Sequence, residues 1–168
     1  MINTFIGVKA QQLFAIILSA NLAVLLVVYG FEIIGGLAPC QLCYYQRIPY
    51  FAAIFLCVIA WLRPGMMQPV SAVLMIGYMI GTGLGVYHAG VEWHWWEGPA
   101  TCSAGAGSGA SVKELMAQIL AAPVIRCDEI PWSLFGLSLA GYNVLISIAL
   151  LAMSAITFLR LKKEAGHD

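Results

Sequence analysis

No charged side chain interrupts the stretch from Leu13 to Phe31, LFAIILSANLAVLLVVYGF. A helix needs about 20 apolar residues to cross the hydrocarbon of a bilayer, and this run has that length. Three more runs follow. One lies between Arg47 and Arg63 and reaches full length once Tyr44 and Tyr45 are included. The others extend from Val70 to Val91 and from about Trp132 to Leu159. The chain is 61% hydrophobic and 10% charged, against about 25% charged in soluble domains. A soluble core has no room for that much apolar surface. The expectation is an all-α membrane protein built as a four-helix transmembrane bundle. A single integral-membrane domain, 1–168, would have spans near 13–31, 44–62, 70–91 and 132–159 and outer loops near 32–43 and 92–131. The net charge is zero, so nothing points to nucleic acid, and the surroundings to expect are a lipid bilayer. The first run lacks a small-residue cleavage site and has only Lys9 as a basic head, so it reads as a retained span rather than a signal peptide.

Lysine and arginine near span ends set orientation. With four spans, Lys9, Arg63, Arg160, Lys162 and Lys163 fall on one side, and Arg47, Lys113 and Arg126 on the other. The first side is expected to be cytoplasmic, with both termini there. The loops carrying Cys40, Cys43, Cys102 and Cys127 then face outward, where disulfides persist. Cys57 falls inside the second span and reads as a small apolar filler.

The second outer loop has three parts. In VEWHWWEGPATC, the residues Trp93, Trp95 and Trp96 suit a membrane–water interface. SAGAGSGA is a flexible tether. In SVKELMAQILAAPVIRC, Ser111 and Glu114 fit a capping box, and Val112, Leu115, Met116, Ile119 and Leu120 share one helical face. That pattern predicts a short interfacial helix. In the third span, Gly77, Gly81 and Gly85 recur every fourth residue, which reads as a helix-packing face.

The chemistry concentrates in LAPCQLCYYQRIPYF. A C-x-x-C pair is often exchangeable and commonly holds a thiolate of depressed pKa. Arg47 follows Cys43 by four residues, so a helix would put both on one face, and the cation would favour the Cys43 thiolate. Arg47 reads equally well as an interfacial anchor snorkelling to headgroups. Pro49 either opens the second helix or kinks it, and only an earlier start secures the alignment. Cys102 and Cys127 form a second candidate pair, as a structural staple or as a redox pair. Zinc prefers two close-spaced pairs, and only one is present, so no metal is assigned. His88 lies level with Cys43 and Arg47, and an ionisable group at a bundle edge is a site candidate. These residues give a four-span protein with two outer dithiols and an electron relay between them.

PCQLCYYQR, YHAGVEWHWWEGPATC and CDEIPWSLFGLSLAGYN together resemble the DsbB family of disulfide bond formation proteins, over nearly the whole chain. The resemblance implies a thiol:quinone oxidoreductase of the bacterial inner membrane, with its cysteine loops periplasmic. Cys102 and Cys127 would form the disulfide presented to a periplasmic DsbA-like thiol oxidase, whose thiolate attacks Cys102. Electrons would pass to the Cys40–Cys43 pair through a transient Cys40–Cys127 bond. Cys43 would hand them to a membrane quinone, ubiquinone or menaquinone, through a thiolate–quinone contact with Arg47 and His88 beside it. The competing class is a four-span structural or adhesion protein whose outer disulfides only stabilise. A thiol reductase of the vitamin K epoxide reductase type is a further alternative, although its extra polar loop pattern is not seen.

Overall fold

The computed structural model describes residues 2–99 and 126–165, with side chains from residue 10 onward. Cys102, Lys113 and the expected interfacial helix from Ser111 lie outside the described residues. Four helices carry the fold: α1 (Ile2–Ile33), α2 (Gln41–Leu62), α3 (Met67–Glu92) and α4 (Leu139–Ala165). Each contains a stretch long and apolar enough to cross a membrane, so the protein is a multi-pass four-helix bundle. Leu26, Phe55 and Leu159 point outward at 73, 69 and 62% exposure. Such a surface would be costly in water and is at ease against lipid tails.

The ends of the helices follow from local chemistry. Gly36, at φ 66°, turns the chain back after α1, a conformation that glycine adopts without steric cost. Cys40 caps α2 with extended backbone angles, and its sulfur accepts the Cys43 N–H. Between α2 and α3, Pro64 opens a single 3-10 turn, Pro64–Met66.

Two expectations shift. The second helix begins at Gln41, so Pro49 lies inside it, and Cys43 and Arg47 stand one turn apart on the same helix. The last helix begins at Leu139 rather than near Trp132. Residues ahead of it form a two-stranded hairpin, β1 (Ser133–Leu134) and β2 (Leu137–Ser138), with Ser133 opposite Ser138 and Leu134 opposite Leu137. Phe135 and Gly136 both have positive φ, 51° and 79°, as a two-residue turn between twisted strands requires.

Small residues bring the helices together. A methyl group on Gly85 would lie 2.8 Å from Val144 Cγ2 and 2.9 Å from Asn143 Nδ2, and one on Gly81 would lie 3.3 Å from Ser147 Oγ. Gly77 faces open space, so two of the three glycines expected to pack do so. Polar groups inside the bundle are bonded across it, as hydrocarbon surroundings demand. Asn21 Nδ2 donates to Tyr78 Oη at 2.7 Å, joining α1 to α3. Tyr50 Oη donates to Asn143 Oδ1 at 2.5 Å and lies 3.1 Å from Ser147 Oγ, joining α2 to α4. The head of α2, the tail of α3, the tail of α1 and the head of α4 meet at one end of the bundle, and the reactive residues lie there.

Candidate redox site at the head of the second helix

Cys40 and Cys43 are free thiols with sulfurs 3.0 Å apart. The helix start explains the closeness. Cys40 at the cap and Cys43 in the first turn are brought together by the turn itself, and the Cys43 N–H lies 3.3 Å from Cys40 Sγ. Either sulfur could hold the shared proton. Cys40 is the better acceptor, because it also takes that N–H and lies 3.5 Å from His88 Nε2. The Cys43 hydrogen bond is the largest influence, burial opposes it, and His88 adds to it; together they hold the Cys40 thiol down to about 4. The thiolate of the pair therefore sits on Cys40. Cys40 Sγ, Cys43 Sγ and a ring nitrogen of His88 lie within 4.8 Å of one another. Two thiolates on one tetrahedral zinc, each at about 2.3 Å, would stand about 3.8 Å apart. The observed separation suits a pair about to close into a disulfide.

His88 comes from the last turns of α3 and is buried. Its Nδ1 lies 2.7 Å from Gln46 Nε2, and its Nε2 lies 3.9 Å from Glu92 Oε1, one turn further along the same helix. Glu92 is buried, and its other oxygen accepts a hydrogen bond from Ser138, which is also buried. Ser138 Oγ in turn accepts the Gly141 N–H at 3.2 Å, which fixes it at the entry to α4. A continuous polar row thus runs from Cys40 through His88 and Glu92 to Ser138.

Arg47 is 6% exposed. Its Nη1 donates to Glu32 Oε2 at 2.6 Å, and its guanidinium lies 4.8 Å from the centre of the Tyr29 ring and 5.2 Å from that of Tyr44. Among the described residues its buried Nε has no hydrogen-bond partner, although a buried donor without one costs free energy. Arg47 and Cys43 border a cavity of about 460 Å³ between α1, α2 and α4. The walls are almost wholly apolar, including Val24, Val28, Phe31 and Ile146, while Gln46, Arg47, Tyr50 and His88 bring polar groups to one part. Such a cavity suits a flat apolar molecule with a few hydrogen-bond acceptors.

The profile of the disulfide bond formation protein DsbB matches residues 10–157. The chain belongs to the DsbB family. It is also 25% identical over 138 residues to the uncharacterized protein RP370 of Rickettsia prowazekii (strain Madrid E), covering 81% of this chain and 80% of that one. As a DsbB-family member it is a disulfide bond formation protein of the membrane, a thiol oxidoreductase in general terms, and the Cys40–Cys43 dithiol is a group that could carry that chemistry.

Of the residues singled out in the sequence of this DsbB-family chain, Cys40, Cys43, Arg47 and His88 meet at one end of the bundle. Cys127 is disulfide-bonded and buried in one apolar cluster with Cys40, Leu42 and Val91. Its neighbour Arg126 grips Asp128 through two nitrogens, at 2.9 and 2.5 Å, and that cation holds the Asp128 carboxyl down to about 2. Cys57 is buried among core side chains, away from the pair. The sequence reading missed Glu32, Gln46 and Glu92. Glu92 did leave a signal: it follows His88 by four residues, on the same helical face.

Proposed function

We propose that this DsbB-family protein reoxidises a periplasmic DsbA-like thiol oxidase and passes the electrons to a membrane quinone. The observation that carries the reading is the cavity: Cys43, its sulfur 3.0 Å from that of Cys40, and the buried Arg47 both line an apolar chamber. A quinone carbonyl is an acceptor that an arginine N–H can serve, and the apolar walls suit its ring and tail. Bound there, a quinone would supply a two-electron oxidant from the lipid phase.

The chain's own residues account for the rest. Cys102 and Cys127 act as the disulfide offered to the partner, and the partner's thiolate attacks Cys102. That attack frees Cys127 as a thiolate, and Cys127, packed in the same cluster as Cys40, attacks Cys40 of the oxidised Cys40–Cys43 pair: the Cys40–Cys43 bond breaks, a transient Cys40–Cys127 bond forms and Cys43 leaves as the thiolate. Once the partner's second thiol releases Cys102, Cys102 displaces Cys40 from Cys127, which restores the Cys102–Cys127 disulfide and leaves the Cys40–Cys43 dithiol holding the two electrons that a bound quinone would take. Arg47 and His88 border the chamber in which that pair is regenerated. The cysteine loops face the periplasm and both termini face the cytoplasm, as the distribution of lysine and arginine supports.

Energetics require a strong sink. DsbA-type oxidants sit at about −120 mV, a potential that belongs to that partner family, and stable structural disulfides lie below about −300 mV. Without a coupled acceptor the transfer would run uphill by about 180 mV, or roughly 8 kcal/mol. Thiol trapping in isolated membranes tests the reading. With quinone depleted and reduced partner supplied, the outer cysteines should become trappable, and adding quinone should reverse this. Cysteines that stay unreactive under both treatments would leave only the stapling role. Cys40→Ser should abolish turnover while the protein remains folded.

A further inference from the structure

The polar part of the chamber wall follows one face of α2 inward. Cys43, Arg47 and Tyr50 are spaced by four and then three residues, so the helix aligns them, and all three line the cavity. From Arg47 to Tyr50 the helix rises about 4.5 Å. Tyr50 is 2% exposed, and its one hydroxyl proton is already given to Asn143 Oδ1 at 2.5 Å. Ser147 Oγ, 3.1 Å from Tyr50 Oη, is then the donor to that oxygen. Asn143 Nδ2 donates to the Gly81 carbonyl at 3.4 Å. A carbonyl can only accept, so the orientation of the amide is settled from both ends. A primary amide has two N–H groups. Among the described residues the second N–H of Asn143 has no acceptor, yet Asn143 lines the cavity.

We propose that Asn143 is a second ligand-binding donor of the chamber: it holds the carbonyl oxygen at the inner edge of a 1,4-quinone ring, Arg47 serves the oxygen at the opposite edge, and Tyr50 is the positioning residue that fixes the Asn143 amide. The inference rests on the quinone reading above and adds to it which way the ring lies. Donors at two depths along α2 suit a ligand with acceptors at opposite corners of one ring. A ring held by Arg47 alone would swing about that contact. Held at both corners, it keeps one edge toward Cys43, which shares the face of Arg47 and Tyr50. The apolar walls, Val24, Val28 and Ile146 among them, offer no competing acceptor, and a donor left without one in hydrocarbon surroundings is costly. Gly85 makes room for the arrangement, because a methyl group there would lie 2.9 Å from Asn143 Nδ2. A purely structural bridge between helices accounts for the bonds among Tyr50, Asn143, Ser147 and Gly81, but it leaves the second N–H unused.

Infrared difference spectroscopy reads the contact without turnover. A short-chain 1,4-benzoquinone, labelled with carbon-13 at one carbonyl and then at the other, is bound to the oxidised full-length protein in detergent. A hydrogen bond lowers a carbonyl stretch, so both labelled bands should lie below their positions in empty micelles. In Asn143→Leu one band alone should return toward its micelle position, and in Arg47→Lys the other should move. The quinone Kd, read from quenching of tryptophan fluorescence with Trp132 in the cavity wall, should rise about 2- to 12-fold in Asn143→Leu, the loss of one neutral hydrogen bond. Both bands unmoved in folded Asn143→Leu, or the same band moved in both variants, overturns the proposal. A bridge that is only structural would lower the unfolding temperature and leave the bands where they are. If Asn143→Leu fails to fold, Tyr50→Phe, which keeps the ring and frees the amide, should raise or broaden the band that Arg47→Lys leaves alone, and no change there overturns the proposal as well. A wild type whose two bands both match empty micelles would refute the parent reading and this one with it. A band that depends on Arg47, with neither band depending on Asn143, would refute this one alone.

Discussion

Replacing Arg47 by lysine tests the cavity most directly. Lysine keeps the positive charge and most of the stem, and it loses Nε and the planar fork. In the structure Nη1 is committed to Glu32 at 2.6 Å and Arg47 lines the cavity, so the remaining N–H groups of the guanidinium are the donors left for a ligand. A hydrogen bond from a charged donor contributes about 1.5–3 kcal/mol. At 1.4 kcal/mol per factor of ten, its loss should raise the quinone KM by about 10- to 150-fold. The Glu32 side chain is 26% exposed, so a poorer partner leaves a carboxylate that water still reaches, and the cost to folding is small. Steady-state quinone reduction with a short-chain quinone separates KM from kcat. A binding interaction equal in ground and transition states raises KM and leaves kcat alone. Glu32→Gln serves as the comparison: it removes the counter-ion but leaves the guanidinium and both aromatic rings in place, and its KM should stay within about threefold of wild type, or about 0.6 kcal/mol. A KM for Arg47→Lys within about twofold of wild type, or a fall in kcat alone, would refute the assignment of the guanidinium as the ligand's donor and return Arg47 to the role of an interfacial anchor.

Two further outcomes follow from the geometry. Because the folded-state pKa of Cys40 is depressed to about 4, its thiolate absorbance should be constant from pH 8 to 6 and disappear only as pH falls through about 4, whereas an unperturbed cysteine would lose it near 8.5; a midpoint near 8 would contradict the hydrogen-bonded pair. Gly85→Ala forces a methyl group to within 2.8 Å of Val144 and should destabilise the bundle by about 1–3 kcal/mol, while Gly77→Ala, which meets nothing, should match or exceed wild type in thermal unfolding in the same detergent.

The architecture was legible because hydropathy alone fixes which segments must be helical in lipid. Helix starts were less so. Trp132 to Ser138 is apolar enough to continue a span, but Phe135–Gly136 forms a hairpin turn, and a phenylalanine at positive φ is not a residue that pattern reading assigns to a turn. Pro49 left two registers open, and packing decided between them: a methyl group on Gly81 would touch the Pro49 ring at 3.6 Å, so a glycine on α3 makes room for the proline inside α2. The cysteines and Arg47 stood out by spacing. Glu32 and Glu92 did not, because a lone acid at a span end resembles any interfacial charge until its partner is known, and those partners lie 15 residues away in one case and 46 in the other.

The spacing of Cys43 and Arg47 suggested a cation stabilising a thiolate beside it, and the structure distributes those tasks differently. Arg47 already has a carboxylate, Glu32, as its counter-ion, and the sulfur with the most donors is Cys40, served by Cys43 and His88. Arg47, Cys43 and His88 line the cavity, Arg47 backed by Glu32 from α1 and His88 from α3 lying beside Cys40 behind that lining. Arg47 is suited to hold a ligand acceptor and His88 to tune the dithiol. If they work separately, Arg47→Lys should raise the quinone KM without altering the thiolate titration read at 240 nm, His88→Ala should move that titration up, and the double variant should show both effects. Independent sites add within about 0.5 kcal/mol, roughly a factor of two in either readout. A larger departure in the double variant would mean that the arginine and the thiolate share one electrostatic unit, as the spacing of Cys43 and Arg47 first suggested.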